Sequence, residues 1–267
     1  MTERAIRRET VFSRVSDFFR ESAVWAVGGF ALELASDGVS ASVGAAALAA
    51  GLSGKQRVLA LLGGAFGALL HGVPAGVNRL AALGIVLVTQ IVPDVKNTVA
   101  GGIIRFFVAA LAVVFSRIAD ATEPSQLLMA VIAALISGAF AACVYMLIKT
   151  VSMRGFDISE TKDCAIASVV VGLVFMSLAG LDYPFVNFGR LLAGFITLVV
   201  TARRGITAAA VIGIPAVFGF CAADSEMGSG AAAIVLGAMI SSCFTKYGKV
   251  TRAVGFLFFS CAGVLAC

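Results

Sequence analysis

Five stretches of the chain run eighteen residues or more without a charged side chain: 58–78, 124–148, 164–181, 205–223 and 227–245. A helix rises about 1.5 Å per residue, so roughly 20 apolar residues cross the ~30 Å hydrocarbon core of a bilayer. One such run fits a buried helix in a water-soluble protein. Five, with shorter ones between them, make lipid the solvent of this chain. Composition agrees: 60% of residues are hydrophobic and 13% are charged, against about 25% charged in soluble domains. The expected fold is all-α, a polytopic transmembrane helical bundle of about ten or eleven spans with short loops. Residues 1–21 read as a basic, amphipathic cytoplasmic tail and 22–267 as the multi-span membrane domain.

The same composition excludes several functions. The net charge is +5, but Lys and Arg stand in small groups between apolar runs, and no basic patch is interleaved with aromatics. Nucleic acid is therefore not an expected partner. Six cysteines occur without a CxxC pair, mostly in or beside apolar runs, where Cys packs as a small hydrophobe. His71 is the only histidine, so neither a metal site nor a cofactor site is expected. No P-loop, G-x-S-x-G, HExxH or paired acidic motif is present, and this chain is not expected to be an enzyme. The charged first 21 residues lack the form of a cleavable signal peptide.

In the tail, Val11, Phe12, Val15, Phe18 and Phe19 fall on one helical face, beside Arg7, Arg8, Arg14 and Arg20. This pattern suits a helix lying at the membrane interface, held by apolar burial and anionic lipid. Eleven apolar segments follow, near 22–36, 38–54, 58–77, 80–93, 98–116, 124–148, 164–181, 185–202, 205–223, 227–245 and 253–267. The first, second, fourth and eighth are short or interrupted, as tilted or re-entrant pieces are. Backbone of that kind is tolerated in a membrane only where protein covers it. With the N-terminus inside and all eleven crossing, sixteen of the twenty Lys and Arg residues fall on the inner side. Only Arg79, Arg117 and Arg190 fall outside, and Arg105 lies within a span. The asymmetry obeys the positive-inside rule. The last segment has no polar flank, so the gene product is expected to continue past residue 267.

Three polar residues stand in or near spans. Glu33 in GFALELAS and Arg105 in GGIIRFF either pair inside the bundle, as a lock or gate, or snorkel to their own interfaces. His71, in LLHGVPAG, reads as an interfacial histidine, or as part of a midplane site if the third span is broken at Gly72 and Pro74. Asn78, Gln90 and Asn187 need no special role. The GGAFG and GVPAG stretches supply GxxxG spacing, which favours close helix packing and lateral assembly into oligomers. Ser159 and Glu160 read as a helix start.

Three stretches carry a family resemblance: FDISETKDCAIASVVVGLVFMSLAGL, FGRLLAGFITLVVTARRGITAAAVIGIPAVFGF and AIVLGAMISSCFTKYGKVTRAVGFLFFSCAGVL. In this order and spacing they resemble the membrane region of the stage II sporulation protein E family, over most of residues 20–267. The resemblance implies a bacterial cell membrane protein whose bundle of about ten spans is followed by a cytosolic serine/threonine phosphatase region. That region, which would need Mn or Mg, acts on an anti-sigma-factor antagonist, and the bundle places it at the division septum. The expected function is then that of anchor and localisation region, with anionic lipid and septal proteins as partners. The alternative is a small-solute transporter using Glu33, Arg105 and His71.

Overall fold

The computed structural model describes residues 23–36, 43–72, 75–89, 95, 97–118, 121, 123–155, 160–183, 186–241, 244 and 248–266. The basic tail with Arg7, Arg8, Arg14 and Arg20, and also Pro74, Gln90 and Ser159, lie outside the described residues. Among those described, eleven helices occur. They are α1 (Val24–Ala35), α2 (Ala45–Gly51), α3 (Gly54–Leu70), α4 (Ala75–Val88), α5 (Thr98–Ile118), α6 (Pro124–Arg154), α7 (Thr161–Leu178), α8 (Phe188–Arg204), α9 (Ile206–Ala223), α10 (Ser225–Ile240) and α11 (Lys249–Ala266). Between α7 and α8 a minimal antiparallel ribbon, β1 (Asp182–Tyr183) and β2 (Val186–Asn187), pairs Asp182 with Asn187 and Tyr183 with Val186.

Helix α6 begins with a capping box of Glu123 and Gln126, with Pro124 in the first turn. There the missing N–H of proline costs nothing. Among the described residues, four helices are long and apolar enough to cross a membrane: α5, α6, α7 and α9. The sequence therefore encodes the expected all-helical membrane bundle.

Contacts at the helix ends fix the direction of each element. The Val43 N–H, just before α2, donates to Ser177 Oγ near the end of α7 (2.7 Å). The Ala45 N–H, at the start of α2, donates to Glu33 near the end of α1. Lys149, late in α6, donates to the Val95 carbonyl ahead of α5 (3.0 Å). Asn187, opening α8, meets Ala179 after α7 and Met227 at the start of α10. Successive helices thus alternate in direction. One end of the bundle carries Lys55, Lys149, Lys162, Arg203 and Arg204, and the other carries Arg79, Arg117 and Arg190. The first end is called inner and the second outer, the labels that the positive-inside rule would give them.

Among the described residues of the second expected segment, 43–54, the chain forms a seven-residue helix, α2, before α3 begins at Gly54. At ~1.5 Å per residue it rises about 10 Å and cannot cross alone. Every residue of it is buried, enclosed by α1, α3, α5 and α6. Protein thus covers a short helix at membrane depth, as hydrocarbon demands. The third segment also differs from expectation. Helix α3 ends at Leu70, and Gly72, with φ of +80°, turns the chain toward α4. The supposed break at Gly72 is a connection between two helices rather than a kink within one.

Close packing explains the glycines. A side chain on Gly63 would run into the Ala26 carbonyl, and one on Gly67 into Phe30 and Glu33, so the GxxxG of α3 seats α1. Gly219 of α9 lies equally tightly on the Gly172 backbone of α7. Where lipid is as apolar as leucine, such contacts act through dispersion between closely approached backbones. The outward faces are large and apolar: Phe66 and Leu69 on α3, Ile103, Phe107 and Leu111 on α5.

Candidate functional site

Among the described residues, a polar cluster lies where α1, α2, α3 and α4 meet. Glu33 sits near the C-terminal end of α1 and is only 5% exposed. One carboxylate oxygen, Oε2, accepts from the Ala45 N–H at 2.8 Å. Ala45 opens α2, so the carboxylate of one helix caps the positive end of another. The other oxygen, Oε1, lies 3.5 Å from Arg79 Nη1. That same nitrogen donates to the Glu33 carbonyl (3.1 Å) and to the Ser36 hydroxyl. His71, at the C-cap of α3, places Nε2 3.0 Å from the Glu33 carbonyl oxygen. Arg117, at the outer end of α5, stands within electrostatic reach of both Glu33 and Arg79.

Local sequence explains why the carboxylate fits here. Gly44 and Gly67 flank it: a side chain on Gly44 would crowd Oε2, and one on Gly67 would meet the Glu33 Cβ. A charge taken out of water is tolerated when it is paired and its lone pairs are filled. Glu33 meets that condition with an arginine, a helix N-terminus and two small residues that make room.

Arg105 is not its partner. It projects from the inner half of α5, 6% exposed, with its guanidinium 5.4 Å from the centroid of the Tyr145 ring on α6. Lys149 lies at the same distance from that ring and donates to the Tyr145 hydroxyl at 3.2 Å. Arg105 is twelve residues before Arg117, roughly 18 Å along the helix. The pairing of Glu33 with Arg105 therefore gives way to two separate clusters. Protein covers both side chains. His71 does join Glu33, through the backbone of α1.

Several residues that the sequence did not mark take part in similar arrangements. Arg57 is 3% exposed and donates from Nε and Nη2 to the Leu52 carbonyl, at 2.9 and 2.7 Å, fastening the corner between α2 and α3. Asn187, expected to have no role, caps α8 by accepting from the Arg190 N–H (2.9 Å) and donates to the Ala179 carbonyl (3.1 Å). The only signal available for it was an Asn three residues before an Arg at the start of an apolar run. Of the three outer cations, Arg79 is thus committed to the Glu33 cluster. Arg190 is folded inward beside Gly230.

No group of three His, Cys, Asp or Glu side chains that could hold a metal ion occurs among the described residues. The described cysteines, Cys143, Cys164, Cys221 and Cys261, are not in disulfides. Chemically, the Glu33 cluster can fix helix ends against one another and hold charge at membrane depth. Comparison with protein families, with characterised proteins and with solved structures finds nothing that matches this chain.

Proposed function

We propose that this chain is a membrane anchor and localisation module, a rigid bundle whose buried charges act as locks. One observation carries the reading. The Glu33 carboxylate is engaged from within the protein on both oxygens, by Ala45 and Arg79. A carboxylate held in this way ties α1 to α2 and α4, as a structural lock does. The alternation of helices with cationic inner corners supports the membrane setting and its orientation. Basic corners next to anionic headgroups add roughly 1 kcal/mol each to surface attachment.

In its finer form, resting on the family resemblance alone, the module belongs to a sporulation-type serine/threonine phosphatase. It would hold a cytosolic, Mn- or Mg-dependent region at the bacterial cell membrane or division septum, alone or as an oligomer. The test is a fluorescent fusion in a sporulating host. Signal gathered at the septum, with an in-frame phosphatase in the gene, is the expected result. Uniform membrane signal together with a frame lacking that region overturns the finer form.

A transporter is the second reading, favoured by the short, fully enclosed α2 with a carboxylate at its N-terminus. Helix ends of this kind build ion and substrate sites in transporters. Rapid labelling of a cysteine at position 33 by a water-soluble thiol reagent would favour it over the lock.

A further inference from the structure

Positive charge at the inner end of α8 to α11 has no acidic counterpart in the sequence around it. From residue 183 onward the only acidic residues are Asp224 and Glu226. Asp224 closes α9 and Glu226 falls in the first turn of α10, so both stand at the outer end. The inner end of the same stretch has Arg203, Arg204, Lys246, Lys249 and Arg252. Helix α9, 18 residues long, sets the two ends about 27 Å apart, a gap no side chain spans. The inner end ahead of this stretch differs: Asp94, Asp157, Glu160 and Asp163 are mixed there among the cations.

Arg252 stands out among these cations. Its Nε and Nη2 are buried, and neither has a hydrogen-bond partner among the described residues. The Phe256 ring, one turn further along the same face of α11, reaches Gly194 of α8 beside Ile234 of α10. Arg252 therefore enters the inner side of the crevice where α8, α10 and α11 converge. At ~1.5 Å per residue, Arg203 and Arg204 lie roughly 8 Å nearer the inner surface.

The neighbouring face of α11 is apolar and open, with Val250 78% and Val254 59% exposed. In a bilayer, acyl chains would run past Arg252 to the first turn of the helix. A soluble anion or an acidic protein segment must cross that layer to reach the guanidinium, whereas a lipid carries its own phosphate to the edge of it. A guanidinium turned into protein without acceptors is costly. Its Nε–Nη2 edge is a fork that fits two phosphate oxygens.

We propose that Arg252 holds the phosphate of an anionic phospholipid of the inner leaflet. Arg203 and Arg204 face the distal part of the headgroup, and the acyl chains lie along Val250 and Val254. The Nε–Nη2 edge faces into the bundle, and rotation about the flexible stem brings it to the headgroup, as arginines reach membrane surfaces elsewhere. The site is independent of the anchor and transporter readings, since it needs only the bilayer.

The experiment titrates phosphatidylglycerol, phosphatidylcholine and inorganic phosphate separately onto the delipidated chain and reads binding by native mass spectrometry. The expected result is a tightly held phosphatidylglycerol whose affinity falls about fivefold or more in Arg252→Gln, the factor for one cation beside anionic headgroups. Arg252→Lys should recover part of it, and Lys55→Gln and Lys162→Gln should leave it unchanged. Thermal unfolding in phosphatidylcholine alone checks the fold. Arg252→Gln should lose no stability there, because the charge it removes is unpaired. An Arg252→Gln chain that binds phosphatidylglycerol like the parent overturns the proposal. So does phosphatidylcholine or inorganic phosphate bound as tightly as phosphatidylglycerol, or an oligoglutamate peptide that displaces the lipid. A loss of stability by Arg252→Gln in phosphatidylcholine alone also overturns it, since protein groups would then hold the guanidinium. A lipid site at Arg252 in a chain that gathers at no septum would spare this proposal and sink the finer functional reading. Septal gathering with lipid binding indifferent to Arg252 would do the reverse.

Discussion

Replacing Arg79 with methionine tests whether the outer cluster is a lock. The substitution keeps most of the side-chain volume and removes the charge facing Glu33 Oε1 at 3.5 Å, together with the donor to the Glu33 carbonyl and Ser36. Glu33 would then be a carboxylate, 5% exposed, held by the Ala45 N–H alone among these partners. Breaking a buried pair by removing one member costs about 3–5 kcal/mol. Residual help from the α2 N-terminus returns on the order of 1 kcal/mol, so the net loss should be about 3 kcal/mol. Glu33→Gln should cost less, about 1–2 kcal/mol, because Arg79 keeps the carbonyl and hydroxyl acceptors. In the double variant the stranded charge is gone, so the coupling between the two sites should be about 1–3 kcal/mol. Steric trapping in bicelles reads all four corners of the cycle. A coupling below about 0.5 kcal/mol, or an Arg79→Met variant as stable as the parent, refutes the reasoning.

Other expectations follow from single contacts. Gly63→Leu forces α1 off α3, since the side chain would enter the Ala26 carbonyl. A loss of about 3 kcal/mol or more is expected in the same assay, beyond the usual range for overpacking. Asn187→Ala removes both the α8 cap and the bond to Ala179, and should cost about 1–2 kcal/mol. Tyr145→Leu separates Arg105 and Lys149 from their shared ring. A loss of about 1–2 kcal/mol is expected, and Tyr145→Phe should recover most of it.

Much of the fold was legible because a bilayer leaves few choices. Charge-free runs marked α3, α6, α7, α9 and α10, and the Lys and Arg count gave the alternation that the contacts at Val43, Lys149 and Asn187 reproduce. The connection at Gly72 was harder to read, since 58–78 is uncharged straight through the turn and hydropathy cannot see a glycine that reverses the chain. The true length of α2 was hidden for the opposite reason: alanines enclosed by protein look the same as alanines in lipid.

The site was read only in part. Glu33 and His71 stood out as polar residues in apolar surroundings. Arg79 stood at a segment edge, where an arginine ordinarily faces water, and nothing local says that it turns inward. Pairing with Arg105 stayed open beside snorkelling because distance along α5 is invisible without knowing which end of the helix faces Glu33. Tyr145 gave no signal, because a tyrosine in an apolar run is unremarkable until cations are found on its ring.

The account depends above all on the alternation of helices with cationic corners on one side. In a cysteine-free background, single cysteines at Lys55 and Arg203 mark the inner end, and those at Glu123 and Asp224 mark the outer end. A membrane-impermeant thiol reagent applied to intact cells should label positions 123 and 224 at once, and 55 and 203 only after permeabilisation. Positions 55 and 203 appearing on opposite sides, or both labelled in intact cells, would contradict it.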